Sequence, residues 1–418
     1  MDTQEGAPIE LSKELGLKEA LGIAIGALIG GGVFSILGLV IIKSGPAAFL
    51  AFILAGVVST FTAYSYTFLA LKYPKAGGAF IYAKEAFKSK IFSGSLGILL
   101  WLGYSFSVSL YAMTFGRYFA EIFNFGHKPF LESKIIFPAF LNAPILAFAF
   151  QLLSVTLFIA INLLGVKESS KMQNFLVFLK VTILLVYVIM GLTAVKRSNF
   201  QPFFSDAGVY GVLISSVLIF VAMEGFEILT NSVEEMKNPQ RDLPIGMFVS
   251  IIIVLIIYVS VAIVTVGVLG MGNIDEEMGE VILTVSAQSF LPIAGTFLMA
   301  VAAIISTASA INATLLGSSR LSYMLSHEGV IPAKIAEINS KTRVPTRAII
   351  ISGVMSIIFI LFFNIETVAT AASLIFMLIF AAVNLSAIKL LEGKKRIVSV
   401  IGVIFIVVYW VFWIIDKV

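Results

Sequence analysis

The chain has 418 residues, of which 59% are hydrophobic and 12% are charged, and its mean hydropathy is +1.03. These values exclude a water-soluble globular domain and indicate a protein whose solvent is the lipid bilayer. The formal net charge of +4 says little by itself, and we expect no nucleic acid partner. The absence of cysteine excludes disulfide and thiol chemistry.

Eleven apolar stretches follow one another along the chain. A helix rises about 1.5 Å per residue, so about 20 residues cross a hydrocarbon core of roughly 30 Å. The predicted spans are 17–42, 46–71, 91–124, 143–164, 171–195, 208–233, 245–270, 291–324, 345–364, 367–391 and 397–415. The sequence therefore predicts an all-α polytopic membrane protein, a single membrane domain over residues 1–418 with about eleven transmembrane helices.

The basic residues indicate the orientation of these helices. Lysine and arginine concentrate in segments 72–90, 320–347 and 389–396, and loops retained in the cytoplasm are enriched in them. We therefore predict a multi-pass protein of the cytoplasmic membrane with its N-terminus inside. The N-terminal acids Asp2, Glu5 and Glu10 do not fit a signal peptide, so the first span would direct insertion.

Three connecting segments carry further predictions. Residues 72–90 combine Pro74, Gly77 and Gly78 with amphipathic character, which favours a re-entrant or interfacial segment. Residues 234–244 read as a charged turn with two prolines, and residues 325–344 as a short surface helix. His127 and His327 fall in loops and are assigned no role.

The first span contains four glycines, Gly26 and the run Gly30, Gly31 and Gly32. Each costs about 1 kcal/mol relative to alanine in a helix. One explanation is close helix packing on small residues, and the other is that the helix unwinds and frees backbone N–H groups for a carboxylate. Three successive glycines favour unwinding.

The sixth span carries a matching interruption at Gly225, flanked by Glu224 and Glu227. A charge near the middle of a membrane calls for a wet cavity, a partner or protonation. Alternatively, the helix boundary is misplaced by a turn and Glu227 lies at an interface. Paired interruptions five spans apart predict two five-helix repeats of opposite orientation with a binding site between them.

Lys180 lies nine residues into the fifth span, too deep for easy snorkelling to the interface. Burial favours the neutral amine, so this lysine suits a reversible proton carrier, and a structural ion pair with Glu227 is the alternative. In the eighth span Ser306, Thr307, Ser309 and Asn312 are dense enough to place hydroxyls on one face, although most such groups bond their own backbone.

Sequence motifs argue against other functions. The chain has no HExxH, GxSxG or Walker A lysine motif, so we expect neither an enzyme nor a primary pump, and no metal or cofactor. No repeated filter of an ion channel is apparent. A non-transporting sensor stays open.

Five segments in order resemble the amino acid, polyamine and organocation superfamily of transporters, from about Leu15 to Pro345. They are GALIGGGVF, KYPKAGGAFIY, INLLGVKESSKMQNFLVFLK, GFEILTNSVEEMKNPQRDLP and GSSRLSYMLSHEGVIP. The resemblance implies a LeuT-like core of two inverted repeats, 17–195 and 208–391, with broken helices 1 and 6. Residues 392–418 would add a C-terminal helix where many members have two, which leaves the oligomeric state undetermined.

The resemblance also implies site residues. The substrate carboxylate would bind at Gly30, Gly31 and Gly32, and its amine at the carbonyls of Leu28, Val221 and Glu224, with Met223, Gly225 and Phe226 shaping the pocket. Lys180 matches the lysine of proton-coupled members, which argues against coupling to sodium. Its ammonium would contact first-helix carbonyls together with Ser306 and Ser309. Glu227 would also take part in proton coupling. Val221 and Met223 replace the aromatic residues with which many members close over substrate.

These features together predict proton-coupled amino acid uptake by alternating access. Amino acid or polyamine exchange is the alternative transport mode.

Overall fold

A computed structural model of the protein describes residues 15–75, 77–124, 143–164, 170–274, 279, 281–339, 342 and 344–417. Asp2, Glu5, Glu10 and His127 lie outside these residues. Within the described part of the chain the regular structure is helical and there is no β-sheet. The prediction of an all-α protein is confirmed.

Fourteen α-helices occur among the described residues. In chain order α1 to α14 are Leu17–Leu28, Gly32–Ser44, Ala48–Lys72, Gly78–Phe87, Lys90–Asn124, Ala143–Leu163, Ser170–Gly191, Gly208–Ile219, Pro239–Leu269, Ile282–Gln288, Pro292–His327, Thr346–Phe362, Ile365–Leu390 and Lys394–Lys417. The first predicted span comprises α1 and α2, and the sixth comprises α8 and a 3-10 helix over Phe226–Glu235. The two predicted helix breaks are therefore present.

Nine helical stretches of the described residues are long and apolar enough to cross a membrane. The first, Gly32–Lys72, contains both α2 and α3, whose junction at Gly45 has a φ of 69°. Helix α12 is apolar but shorter, with 17 residues. A multi-pass membrane protein follows, and the count of eleven crossings stays a prediction.

Three connecting regions differ from the sequence predictions. The seventh span begins at Pro239 rather than 245, because proline suits the first position of a helix. Pro244 lies inside this helix and cannot bond the carbonyl of Gln240, but Gln240 is exposed. In the segment 325–344, where a short surface helix is predicted, α11 continues to His327, and among the described residues beyond it the helical structure is the 3-10 turn Ala333–Ile335, preceded by Gly329 at a φ of 64°. Helix α10 was not predicted.

The segment 72–90 contains helix α4, which starts after two glycines of positive φ, Gly77 at 117° and Gly78 at 44°. Its residues Phe80, Ile81 and Tyr82 are buried, and it packs against α5 and α13. The interfacial segment predicted here is thus a short helix packed into the protein.

Helix packing places the two breaks at the centre of the protein. Helix α5 packs against α6, α11 and α13, and α1 packs against α7 and α9. Large apolar side chains stay exposed along α6, α7 and α14, as expected for helices that contact lipid. Lys180 and Phe226, next to the breaks, are among the largest fully buried side chains.

An ion pair joins α4 to the end of α11 on one face of the protein. The Lys84 ammonium donates to Glu328 Oε2 at 2.6 Å, and the side chains are 42% and 26% exposed. The hydrogen bond from Lys84 lowers the pKa of the Glu328 carboxyl from its ordinary 4.5. The pair therefore contributes stability above pH 4.5, and this contribution is lost as the pH falls through the pKa of Glu328 in the folded protein.

We expect Glu328→Gln to lower the free energy of unfolding at pH 7 by no more than about 1 kcal/mol, because the pair is partly exposed. The difference from the wild type should shrink once the pH falls below the ordinary pKa. Thermal unfolding in detergent at pH 7 and pH 4 measures both. Glu337→Gln is the control, since its contact with Arg347 joins side chains 57% and 68% exposed. A larger loss in this control than in Glu328→Gln contradicts the assignment.

Candidate transport site between two broken helices

The first break lies between Leu28, where α1 ends, and Gly32, where α2 begins. Ile29 leaves the helical region with a ψ of 64°, and Ser35 N–H makes the first new helical bond, to the Gly31 carbonyl at 2.8 Å. The N–H groups of Gly32, Val33 and Phe34 therefore have no partner within α2, which also has no side-chain cap. These groups are donors available to an anion.

The second break is centred on Glu224 and Gly225. A 3-10 turn over Phe220–Met223 ends at Glu224, which is extended with a φ of −82° and a ψ of 167°. Gly225 has a φ of 108°, a left-handed conformation that favours glycine. The chain then continues as the 3-10 helix Phe226–Glu235.

Glycine brings the two breaks into direct contact. A Cβ added at Gly32 would lie 2.4 Å from the Cβ of Ala222, and one added at Gly225 would lie 2.8 Å from the carbonyl of Ala27. Close packing and unwinding, the two explanations considered for the glycine run, therefore apply together. The site lies where each broken helix approaches the other.

Lys180, on α7, extends to the first break. Its side chain is fully buried, and its ammonium donates to the Gly26 carbonyl at 2.8 Å and to the Ile29 carbonyl. In an unbroken helix these carbonyls would accept from residues 30 and 33. The break frees them, and the lysine binds them.

Glu227 lies inside the sixth-span break rather than at an interface. Its side chain is 5% exposed, and its Oε2 accepts from the Gly225 N–H at 2.7 Å. It lines a cavity together with Tyr66, Asn231 and Arg320, next to the glycines that begin α4.

Helix α5 supplies polar residues that the sequence analysis missed. The Ser107 and Tyr111 hydroxyls donate to Glu224 Oε1 at 2.6 and 3.2 Å. Tyr111 also covers the glycine run, since its Cδ1 would be 2.6 Å from a Cβ at Gly31 and its Cζ 3.5 Å from one at Gly30. Polar residues at helical spacing in YSFSVSLYAMT, from Tyr104 to Thr114, are the signal that could have identified this face.

Helix α11 approaches the first break through Thr307 and Ala310. A Cβ added at Gly31 would lie 3.0 Å from Thr307, and one added at Gly30 would lie 3.2 Å from Ala310. Ser309 donates to the Ser306 carbonyl at 2.9 Å. The buried Ser306 hydroxyl has no hydrogen-bond partner among the residues that the structure describes. The hydrogen bond expected between Ser306 and Lys180 is therefore absent.

The remaining predicted site residues have partners of their own. The Leu28 carbonyl accepts from the Tyr258 hydroxyl at 2.8 Å, and the Val221 N–H donates to Ser373 at 3.0 Å. Met223 is fully buried, and Phe226 packs at 5.3 Å from the ring of Phe380. The carbonyl of Leu28, which the resemblance assigns to the substrate amine, thus already accepts one hydrogen bond from a hydroxyl.

The described residues contain no group of three or more histidine, aspartate or glutamate side chains that could hold a metal ion. The chemistry of the site consists of backbone donors and acceptors, one lysine, two glutamates and several hydroxyls.

The model of the family described as "Amino acid permease" matches residues 15–416. The chain belongs to the amino acid permease family. It is 32% identical to an uncharacterized protein of Methanocaldococcus jannaschii, over 97% of this chain and 91% of that protein.

Two relatives in Bacillus subtilis (strain 168) are named for the compounds that they carry. A methylthioribose transporter is 27% identical over 93% of this chain and 83% of its own length. The branched-chain amino acid permease BcaP is 28% identical over 83% of this chain and 74% of its own length. The family and these names indicate a membrane transporter rather than an enzyme, and the resemblance seen in the sequence is confirmed.

Proposed function

We propose that this permease carries amino acids across the cytoplasmic membrane by alternating access and is coupled to protons through Lys180. The contact between the two breaks, at Gly32 with Ala222 and Gly225 with Ala27, is the observation that most supports the proposal. Discontinuous helices that meet in the protein interior are the binding-site architecture of this type of transporter. In this proposal residues 17–195 and 208–391 form the inverted repeats, 392–418 is an additional helix, and the N-terminus is cytoplasmic.

The substrate carboxylate would accept hydrogen bonds from the N–H groups around Gly31 and Gly32, with Gly30 leaving room for it. The helix dipole of α2 adds a favourable field at the same place. The substrate ammonium would donate to the carbonyls of Val221 and Glu224 and to the second lone pair of Leu28, while Met223, Gly225 and Phe226 shape the wall. Each end of a zwitterion then meets backbone groups that the breaks leave available.

Lys180 would carry the coupling proton. As an ammonium it can hold the two carbonyls of Gly26 and Ile29 together, whereas a neutral amine is a weaker donor. Loss of the proton would therefore loosen the first break and favour the return of the empty carrier. Ser306, Ser309 and Glu227 are the polar groups proposed to assist this step, and the unpartnered Ser306 hydroxyl is available for it.

Reconstitution into proteoliposomes tests the transport mode. We expect an inward proton gradient to drive accumulation of radiolabelled amino acid without sodium and without amino acid inside the vesicles. Uptake that requires an internal amino acid and ignores the proton gradient would replace symport by exchange. Specific binding without any uptake would instead indicate a sensor.

The substrate screen should extend beyond amino acids, since one relative is a methylthioribose transporter. A ligand that binds only the folded state raises the unfolding temperature. A thermal-shift panel of amino acids, polyamines and methylthioribose therefore identifies the compounds to use in the proteoliposomes.

A further inference from the structure

Among the described residues, Glu224 has the one buried carboxylate oxygen without a hydrogen-bond partner. Its side chain is 5% exposed. Oε1 accepts from Ser107 and Tyr111, whereas buried Oε2 has no hydrogen-bond partner among the described residues. The carboxylate is thus held in place by one oxygen while the other is left for a donor that the described residues do not supply.

Glu227 provides the comparison within the same break. Its Oε2 accepts from the Gly225 N–H, and it shares its cavity with Arg320. A buried carboxylate without such partners carries a desolvation penalty of several kcal/mol. A ligand that brings its own positive charge would relieve this penalty by pairing with Glu224.

Tyr111 sets the position of this carboxylate relative to the glycine run. The ring lies along the run, with Cδ1 near Gly31 and Cζ near Gly30, and its hydroxyl binds Glu224. The carboxylate consequently lies beyond the hydroxyl end of the ring, past Gly30, while the free N–H groups of α2 begin at the other end of the run. The site has a donor end and an acidic end separated by the length of an aromatic ring.

We propose that the substrates of this permease are amino acids whose side chain carries a cation, and that Glu224 accepts a hydrogen bond from that side-chain ammonium or guanidinium group. The inference rests on the proposed function, because the carboxylate of the same molecule must bind at the glycine run. An α-ammonium is attached to the carbon next to the carboxylate and so stays near the run. A side-chain cation extends along Tyr111 to Glu224.

L-lysine and L-norleucine test the proposal, because norleucine lacks only the terminal amino group of lysine. We expect the wild-type protein to bind lysine at least about tenfold more tightly than norleucine, since close charge pairs couple by more than about 1.4 kcal/mol. In Glu224→Gln this ratio should fall to near one, with norleucine binding kept. Isothermal titration in detergent gives both affinities.

Two further variants keep the result interpretable. Glu224→Asp preserves the charge and should keep part of the preference, and Glu366→Gln, which removes an exposed ion pair with Lys43, should leave the ratio unchanged. Equal wild-type affinities for lysine and norleucine overturn the inference while leaving amino acid transport intact, and this outcome needs no variant to fold. Failure of the wild type to bind lysine also overturns the inference, whereas binding of cadaverine as tight as that of lysine overturns the proposed carboxylate site.

Discussion

Lys180→Met is expected to abolish proton-driven accumulation of amino acid. Methionine approximates the length of the aliphatic stem but cannot donate to the carbonyls of Gly26 and Ile29, so two buried acceptors lose a charged partner. We expect accumulation under an inward proton gradient to fall by at least about tenfold. Each unsatisfied buried group also costs about 1–3 kcal/mol of stability, so the unfolding temperature should fall too.

The structural and coupling effects of this substitution can be separated by the pH profile of binding. If Lys180 carries the proton, substrate affinity of the wild type varies with pH, and that variation disappears in the folded fraction of Lys180→Met. Lys43→Met, which removes a lysine 36% exposed at its side chain, is the control and should change neither profile nor accumulation. If Lys180→Met keeps the accumulation and the pH response of the wild type, Lys180 has no part in the mechanism.

The sequence identified the helix breaks because their cause is local. Three successive glycines disfavour a continuous helix because each costs about 1 kcal/mol relative to alanine, and the three costs fall within one turn. The depth of Lys180 was likewise readable by counting along an apolar stretch. These features follow from the covalent order of residues.

Ser107, Tyr111 and Tyr258 could not be assigned to the site from sequence for the opposite reason. The polar stripe of α5 is visible at helical spacing, but the helix that it faces depends on packing between distant segments. Tyr258 is 230 residues from the Leu28 carbonyl that it binds. Contacts of this kind decide which carbonyls already accept a hydrogen bond, so the sequence alone could not show that one lone pair of the Leu28 carbonyl is occupied.

Packing also determined the face that α11 presents. Four polar residues of the eighth span are visible in the sequence, and the resemblance assigns Ser306 and Ser309 to the contact with Lys180. The structure brings Thr307 and Ala310 against the glycine run. A helix turns by about 100° per residue, since it has 3.6 residues per turn, so a one-residue difference in the contacting face changes the residue assigned to the site.

Alanine substitutions along the glycine run should have effects that increase from Gly30 to Gly32. An added Cβ would be 3.2 Å from the Ala310 Cβ at Gly30, 2.6 Å from the Tyr111 ring at Gly31, and 2.4 Å from the Ala222 Cβ at Gly32. The Ala222 Cα lies 2.5 Å from the last position, so backbone rather than a mobile side chain must move. We expect Gly32→Ala to cost about 1–3 kcal/mol or more, the range for overpacking a core.

This series also separates a packing role of the glycines from a binding role. The unfolding temperature measures packing, and the substrate affinity of the folded fraction measures binding. Gly272→Ala is the control, because a Cβ added at Gly272 would meet open space. If the glycines only allowed close approach, Gly30→Ala and Gly31→Ala would lower stability and leave affinity unchanged. Because Gly31 lies between the free N–H groups of α2 and Tyr111, we expect Gly31→Ala to weaken substrate binding by at least about tenfold, equivalent to about 1.4 kcal/mol. The loss of stability in Gly32→Ala then reports the contact between the two broken helices, and the loss of affinity at Gly31 reports the anion site next to that contact.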